Sequence, residues 1–380
     1  MIEQVSVAKP PPPREKGRSA RLPFLDWTRG MAAAIMLQGH VFHSFARNDQ
    51  REQGPYIISQ FIGGIAPAIF LFLTGVTLAF LMHGLEKKGL DGKKRILTSL
   101  RRAGYLAILA FAFRFQLFLF GWPQSPWGDL FKVDILNSMA LAIAVCSLTA
   151  AFTTAERSRM GVVIGLSIAA AAPLISLMNV SSWPETVQAY LVPDARYFSF
   201  FPWASFVAFG VSAGSILRLV TEEQLHRIMQ WASIVGFGLI ISAQYFSNLP
   251  YSLYPATDFW LNSPGLIFIK LGVILVLLAF TFLWTHHGAG EGWSWVRQLG
   301  TTSLLVYWVH IELVYGRWFG FWKEQLTLAQ CAVAAAVLTL LMIALSVVRT
   351  YWRPGKASKW LSVRGNIQGV PASRAGGSAS

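Results

Sequence analysis

The sequence predicts an all-α integral membrane protein, a bundle of about ten transmembrane helices with both termini cytoplasmic. Three observations predict it. The 380 residues are 54% hydrophobic and 13% charged, with a mean hydropathy of +0.47, whereas a soluble domain carries roughly a quarter charged residues. Apolar runs of helix length recur along the chain. Lysine and arginine also collect in alternate connections between those runs, which is the bias expected of cytoplasmic loops.

Taken in order, residues 1–20, MIEQVSVAKPPPPREKGRSA, hold a proline run and scattered cations without an apolar core. They read as a disordered cytoplasmic tail and not as a cleavable signal. Residues 21–350 form one transmembrane domain without an internal repeat, its spans near 24–45, 59–82, 103–121, 133–152, 161–178, 198–218, 228–246, 264–285, 299–318 and 328–348. The second and third spans are joined by the basic connection HGLEKKGLDGKKRILTSLRR. On the opposite side run GWPQSPWGDLFK, NVSSWPETVQAYLVPDAR and SNLPYSLYPATDFWLNS, rich in aromatic residues and poor in cations. Such aromatics suit an interfacial belt, and equally a surface that stacks on sugar rings. Residues 351–380 are basic and then small and polar, a second cytoplasmic tail.

With the amino terminus inside, the cytoplasmic segments hold 23 of the 32 Lys and Arg, the other side 6 and the spans 3. The net charge of +14 therefore belongs to membrane topology, and nucleic acid is excluded as a partner in favour of the lipid bilayer. The expected location is the cytoplasmic (inner) membrane, multi-pass. Cys146 and Cys331 each lie in an apolar run and offer neither a disulfide framework nor metal-ligand spacing.

The stretch Arg21–His43 places titratable residues inside an apolar run. At about 100° per residue, Arg29 and His40 fall about 20° apart around a helix, and Asp26 and His43 join the same face. Ionisable residues in a spanning helix face a bundle interior or a wet cavity. Further buried polar residues are Arg114 and Gln116, Asp134 and Asn137, Lys270, and His310 with Glu312. There is no Gly-rich phosphate loop, no His-Glu-x-x-His helix and no Gly-x-Ser-x-Gly turn. His286, His287 and Glu291 sit in a glycine-rich connection that reads as solvated, and no metal is expected.

Eleven residues separate Arg29 from His40, or about 16 Å of helix, a length comparable to a phosphopantetheine arm. A donor with its nucleotide end at the cytoplasmic mouth would present its thioester close to His40. With an ordinary pKa of about 6.5, histidine suits the acceptance of a proton from a hydroxyl or amine, or of the acyl group itself.

The segment LDWTRGMAAAIMLQGH resembles the opening signature of the transmembrane acyltransferase superfamily, in which Leu-Asp-x-x-Arg-Gly begins the first helix and a histidine closes it. The segments QFIGGIAPAIFLFLTGVTLAF, KVDILNSMALA, FSFFPWASFVAFGVSAG and TTSLLVYWVHIELVYG resemble, in order, bacterial members of its heparan-α-glucosaminide N-acetyltransferase branch. The resemblance implies an enzyme that binds acetyl-CoA from the cytoplasm and delivers acetyl across the membrane to an amine or hydroxyl of an external saccharide or glycoconjugate. It implies Asp26, Arg29 and Gly30, with Arg114, at the donor end, and His40 as base or acetyl carrier. Asp134, Asn137, His310 and Glu312, with Lys270, would line the shared cavity. In the heparan branch the catalytic histidine comes just beyond the first helix, where this chain has His43; the wider superfamily's spacing falls on His40. A transporter or exporter of a small or sugar-containing envelope molecule is the competing expectation, although no two-halved hydropathy symmetry supports it. The acceptor, N- against O-acetylation, and oligomeric state, a homodimer included, stay open.

Overall fold

The computed structural model describes residues 22–289 and 292–352. The tail expected over 1–20, nearly all of that over 351–380, and Glu291 lie outside the described residues. Within them the chain is all-α: α1 (Pro23–Phe45), α2 (Gly54–Gly63), α3 (Ala66–Lys87), α4 (Gly92–Gly121), α5 (Ile135–Cys146), α6 (Thr154–Ser176), α7 (Glu185–Leu191), α8 (Phe200–Leu219), α9 (Glu222–Ser247), α10 (Pro264–Trp284), α11 (Trp295–Thr301), α12 (Ser303–Tyr315) and α13 (Leu328–Tyr351).

Local chemistry sets the starts of these helices. Proline occupies the first turn of α1, α2, α3 and α10, where its missing N–H costs nothing. Capping boxes open α6 (Thr153 with Glu156), α9 (Thr221 with Gln224) and α13 (Thr327 with Gln330).

Eight of the described helical segments are long and apolar enough to cross a membrane. Neither α1 nor α12 is among them, for different reasons. The 23 residues of α1 include the polar set Asp26, Arg29, Gln38, His40 and His43, which lowers its hydropathy. The 13 residues of α12 are apolar but short, because the helix breaks at Thr302. The helix α1 is interior: it packs against α2, α3, α10, α11, α12 and α13, where its polar stripe is shielded from lipid.

Of the departures from the hydropathy reading, two bear on the site. The helix α4 begins at Gly92, eleven residues before the expected span start at 103, so Arg101 and Arg102 lie within it. Lys and Arg are good helix formers, so the edge of an apolar run marks the membrane boundary and not the end of the helix. The expected span 299–318 is two pieces, α11 and α12, joined at Thr302.

Close backbone approach holds the remaining bundle together, as is usual where lipid removes the hydrophobic drive for helices to associate. A Cβ on Gly75 of α3 would overlap the Val207 carbonyl of α8, and one on Gly210 of α8 would overlap the Phe72 carbonyl of α3. Gly238 in α9, by contrast, has nothing within 4 Å of the same position. Gly210→Ala should therefore lower stability by about 1–3 kcal/mol through overpacking, while Gly238→Ala should be neutral or add up to about 1 kcal/mol of helix propensity. Thermal unfolding in detergent reads both; an unchanged midpoint for Gly210→Ala would contradict the α3–α8 packing.

Candidate active site

The site is built on one parallel helix pair. Gly30 of α1 lies against Gly300 of α11, His40 bonds His310 of α12, and the Ser44 hydroxyl donates to the Val314 carbonyl at 2.9 Å, each pair 270 positions apart. α1 and α11–α12 therefore run in the same direction and in constant register. On α1 the contacting stripe is Gly30, Ala33, Leu37, His40 and Ser44, a three-and-four-residue alternation that keeps one face against a partner helix. Ala33 and Leu37 share an apolar cluster with Leu299, Val306 and Val314 across the seam. At Gly30 a Cβ would overlap the Val296 carbonyl, and at Gly300 one would overlap the Asp26 carbonyl, so both positions exclude larger residues.

This register brings two histidines together. His40 Nδ1 lies 2.8 Å from His310 Nε2, and His310 Nδ1 lies 2.7 Å from the Val306 carbonyl oxygen. A carbonyl only accepts, so His310 Nδ1 donates to it. Neutral His310 then presents a lone pair at Nε2, to which His40 Nδ1 must donate. The relay leaves His40 Nε2 as an acceptor. His310 is fully buried and His40 half-buried. The Tyr315 ring sits 5.4 Å from the His40 ring, and its hydroxyl shares a 3.1 Å hydrogen bond with His43 Nδ1. His43 is exposed, one turn beyond His40.

A cavity of about 1020 Å³ runs along this seam, walled by α1, α3, α4, α5 and α12. At one end it is lined by Arg29, Thr77 and Arg102; His40 and Tyr307 line it further along, and His43, Tyr315, Arg317 and Lys323 line the other end. Arg114 and Asp134 form an ion pair in its wall, Nε to Oδ2 at 3.3 Å. Asp134 is fixed as the N-cap of α5: its Oδ1 accepts from the backbone N–H of Leu136 at 3.0 Å and of Asn137 at 3.1 Å. The carboxylate is thus held by a helix N-terminus on one oxygen and faces the guanidinium with the other.

Of the residues singled out in the sequence, Arg29, His40, His43, Arg114, Asp134 and Glu312 line this one cavity. His310 stands behind His40. Asp26 is buried below Arg29 and pairs with it at 3.1 Å. Gly30 belongs to the helix seam. Arg114 sits with Asp134, twelve residues further along α4 than Arg102, about 18 Å of helix away, and not beside Arg29. Two residues face elsewhere. Asn137 donates to the Tyr190 hydroxyl at 3.1 Å and lines a separate groove between α4 and α5. Lys270 is buried with its ammonium 4.7 Å from the centre of the Trp203 ring, outside the cavity lining. Glu312 keeps one buried carboxylate oxygen, Oε2, without a hydrogen-bond partner among the described residues.

Sequence reasoning passed over Arg102, Tyr307, Tyr315 and the cations Lys132, Arg196, Arg317 and Lys323, all of which line the cavity. Arg102 was counted as a topological charge because the apolar run begins after it. The two tyrosines lie within the expected span 299–318, where nothing in the sequence sets them apart from its other aromatic residues. Among the described residues no three His, Cys, Asp or Glu side chains converge as a metal-binding group.

The relay makes a direct prediction. Nitrogen-15 spectra of histidine-labelled protein, with both rings neutral, should show His40 and His310 each protonated at Nδ1. Replacement of His310 by Leu should release His40 to a mixture of tautomers. His40 protonated at Nε2 in the wild type would contradict the relay.

Comparison with known proteins bears on this arrangement. No curated protein matches the chain. Residues 22–350, which include α1, the histidine pair and every wall of the cavity, match the family model described as an acyltransferase domain. The chain, a multi-pass membrane protein by its apolar helices, belongs to that acyltransferase family.

Proposed function

We propose that the protein transfers acetyl from cytosolic acetyl-CoA to an amine or hydroxyl of an external saccharide, as in the heparan-α-glucosaminide N-acetyltransferase-like branch. The observation that carries this reading is the single cavity that joins two arginines, Arg29 and Arg102, to a histidine whose tautomer is fixed by a buried partner. Arginines at the first end suit the phosphates of a nucleotide. A cavity that runs along α1 from Arg29 past His40 suits the pantetheine arm, with His40 where its thioester would lie.

In the proposed orientation the chain crosses the membrane ten times, by α1, α2–α3, α4, α5, α6, α8, α9, α10, α11–α12 and α13, with both termini cytoplasmic. The parallel run of α1 and α11–α12 supports it, because a first and a ninth crossing must point the same way. The Arg29 end is then cytoplasmic and the His43 end external, at the inner membrane of a bacterial cell envelope.

Within this reading His40 Nε2 takes the proton from the acceptor's O–H or N–H as that atom attacks the thioester carbonyl. The carbon–sulfur bond breaks as the new carbon–oxygen or carbon–nitrogen bond forms, and the proton passes on to the departing thiolate. His310 is a positioning residue: by accepting from His40 Nδ1 it keeps Nε2 free and steadies the charged imidazolium. His40 is favoured over His43 as the base because only His40 has such a partner; His43 shares its Nδ1 with Tyr315 at the mouth. A saccharide acceptor is supported by Trp122 and Trp127, 52% and 69% exposed with ring centres 6.1 Å apart, on the loop beside the external mouth. The proposed chemistry requires no metal.

Sealed inverted vesicles given labelled acetyl-CoA test the reading. His40→Ala should reduce transfer to lumenal acceptor by about 10²- to 10⁴-fold, and His43→Ala by less than about tenfold. Undiminished transfer in His40→Ala would remove that residue from the mechanism. Absence of any acetyl-CoA binding in the wild type would favour a transporter.

A further inference from the structure

The external mouth of the cavity is lined by four cations, Lys132, Arg196, Arg317 and Lys323. Arg196 is neutralised by Asp194, which it meets at 2.8 Å. The other three have no carboxylate within 4 Å among the described residues. Of the acidic groups nearby, Asp134 pairs with Arg114 and Glu324 with Arg51, while Glu312 lines the cavity without an ion-pair partner among the described residues. Asp129 and Glu312 are thus the two carboxylates of the lining outside an ion pair, against three such cations.

Two of these cations, Arg317 and Lys323, are held in place without being neutralised. Lys323 Nζ donates to the Tyr315 carbonyl at 2.7 Å, which uses one of its three N–H groups. Arg317 directs the two N–H groups of its Nη2 at three acceptors, one of them shared: the Gly121 carbonyl at 2.7 Å, the Trp122 carbonyl at 3.1 Å and the Gln124 side-chain oxygen. Its Nη1 and Nε carry no protein partner among the described residues, so a donor edge remains available on a fixed guanidinium. Neutral acceptors orient a cation but leave its full charge for a ligand. Tyr315 links this rim to the chemistry, since its backbone holds Lys323 while its ring touches His40 and its hydroxyl meets His43.

Resting on the acetyltransferase reading, we propose that the acceptor carries an anionic substituent, a phosphate or carboxylate, bound by Arg317, Lys323 and Lys132 while its amine or hydroxyl reaches His40. The anion fixes the acceptor's register in the mouth, and Trp122, whose carbonyl is tied to Arg317, offers an apolar ring face beside it.

The test uses full-length protein in phosphatidylcholine nanodiscs, with glucose and glucose 6-phosphate as probes at constant ionic strength. Wild type should bind the phosphorylated sugar at least about tenfold more tightly. That preference should fall to within about threefold in the Lys132→Gln, Arg317→Gln, Lys323→Gln triple variant, and Lys323→Arg alone should keep it, which separates lost charge from lost folding. No preference in wild type, or one that survives the triple substitution, overturns the proposal. If phosphatidylglycerol in the nanodisc abolishes the preference, the cations serve a lipid headgroup and the acceptor assignment fails. Release of CoA from acetyl-CoA in the same samples reads the parent activity separately: release without sugar preference sinks the anion site alone, and preference without release sinks the transferase.

Discussion

The in-register pairing of α1 with α11–α12 is the constraint on which the rest of the structure depends. Gly30 and Gly300 let the two backbones touch at one end, Ser44 and Val314 lock them at the other, and His40 and His310 meet between. A polar group buried in an apolar bundle is costly unless its hydrogen bonds are made. His310 resolves this by donating to Val306 on its own helix and accepting from His40 on the neighbouring one. The same two bonds that make its burial tolerable also dictate which nitrogen of His40 faces the cavity.

Two kinds of charged residue recur elsewhere in the bundle. Some are paired within the bundle: Arg29 with Asp26, Arg114 with Asp134, and the fully buried Arg157 with Glu86 at 3.1 Å, a carboxylate that Arg95 also approaches at 3.6 Å. A buried pair adds little net stability, but loss of one partner strands a charge, so such pairs act as fixed points of geometry. Others, Arg317 and Lys323 at the His43 end of the cavity, are positioned by neutral carbonyls and have no ion-pair partner among the described residues. A wall carrying the Arg114–Asp134 pair, with open cations at its rim, would suit the proposed guiding of a charged acceptor toward His40.

Much of this was legible in the sequence because the membrane restricts what an apolar run can be. Helix-length runs became helices, and the face carrying Arg29, His40 and His43 did open on a cavity. The joint appearance of Asp134, Arg114 and Glu312 on that cavity was foreshadowed by their rarity among apolar neighbours. Rarity could not give direction, however. Lys270 and Asn137 are as conspicuous in the sequence as Asp134, yet one faces Trp203 and the other Tyr190, because a residue's facing depends on helix rotation about neighbours far away in the chain. The relay is likewise invisible in one dimension: its members are 270 residues apart, and only the seam glycines, two of many along the chain, hint at the register. Arg102 was missed because hydropathy locates the lipid boundary while α4 continues past it.

The central claim is one cavity that opens toward both faces with His40 between, and sided thiol labelling tests it most directly. With Cys146 and Cys331 replaced by Ala, Arg102→Cys should react with a membrane-impermeant maleimide only from the cytoplasmic face of sealed vesicles. His43→Cys should react only from the opposite face. Labelling of both positions from the same side would contradict the account.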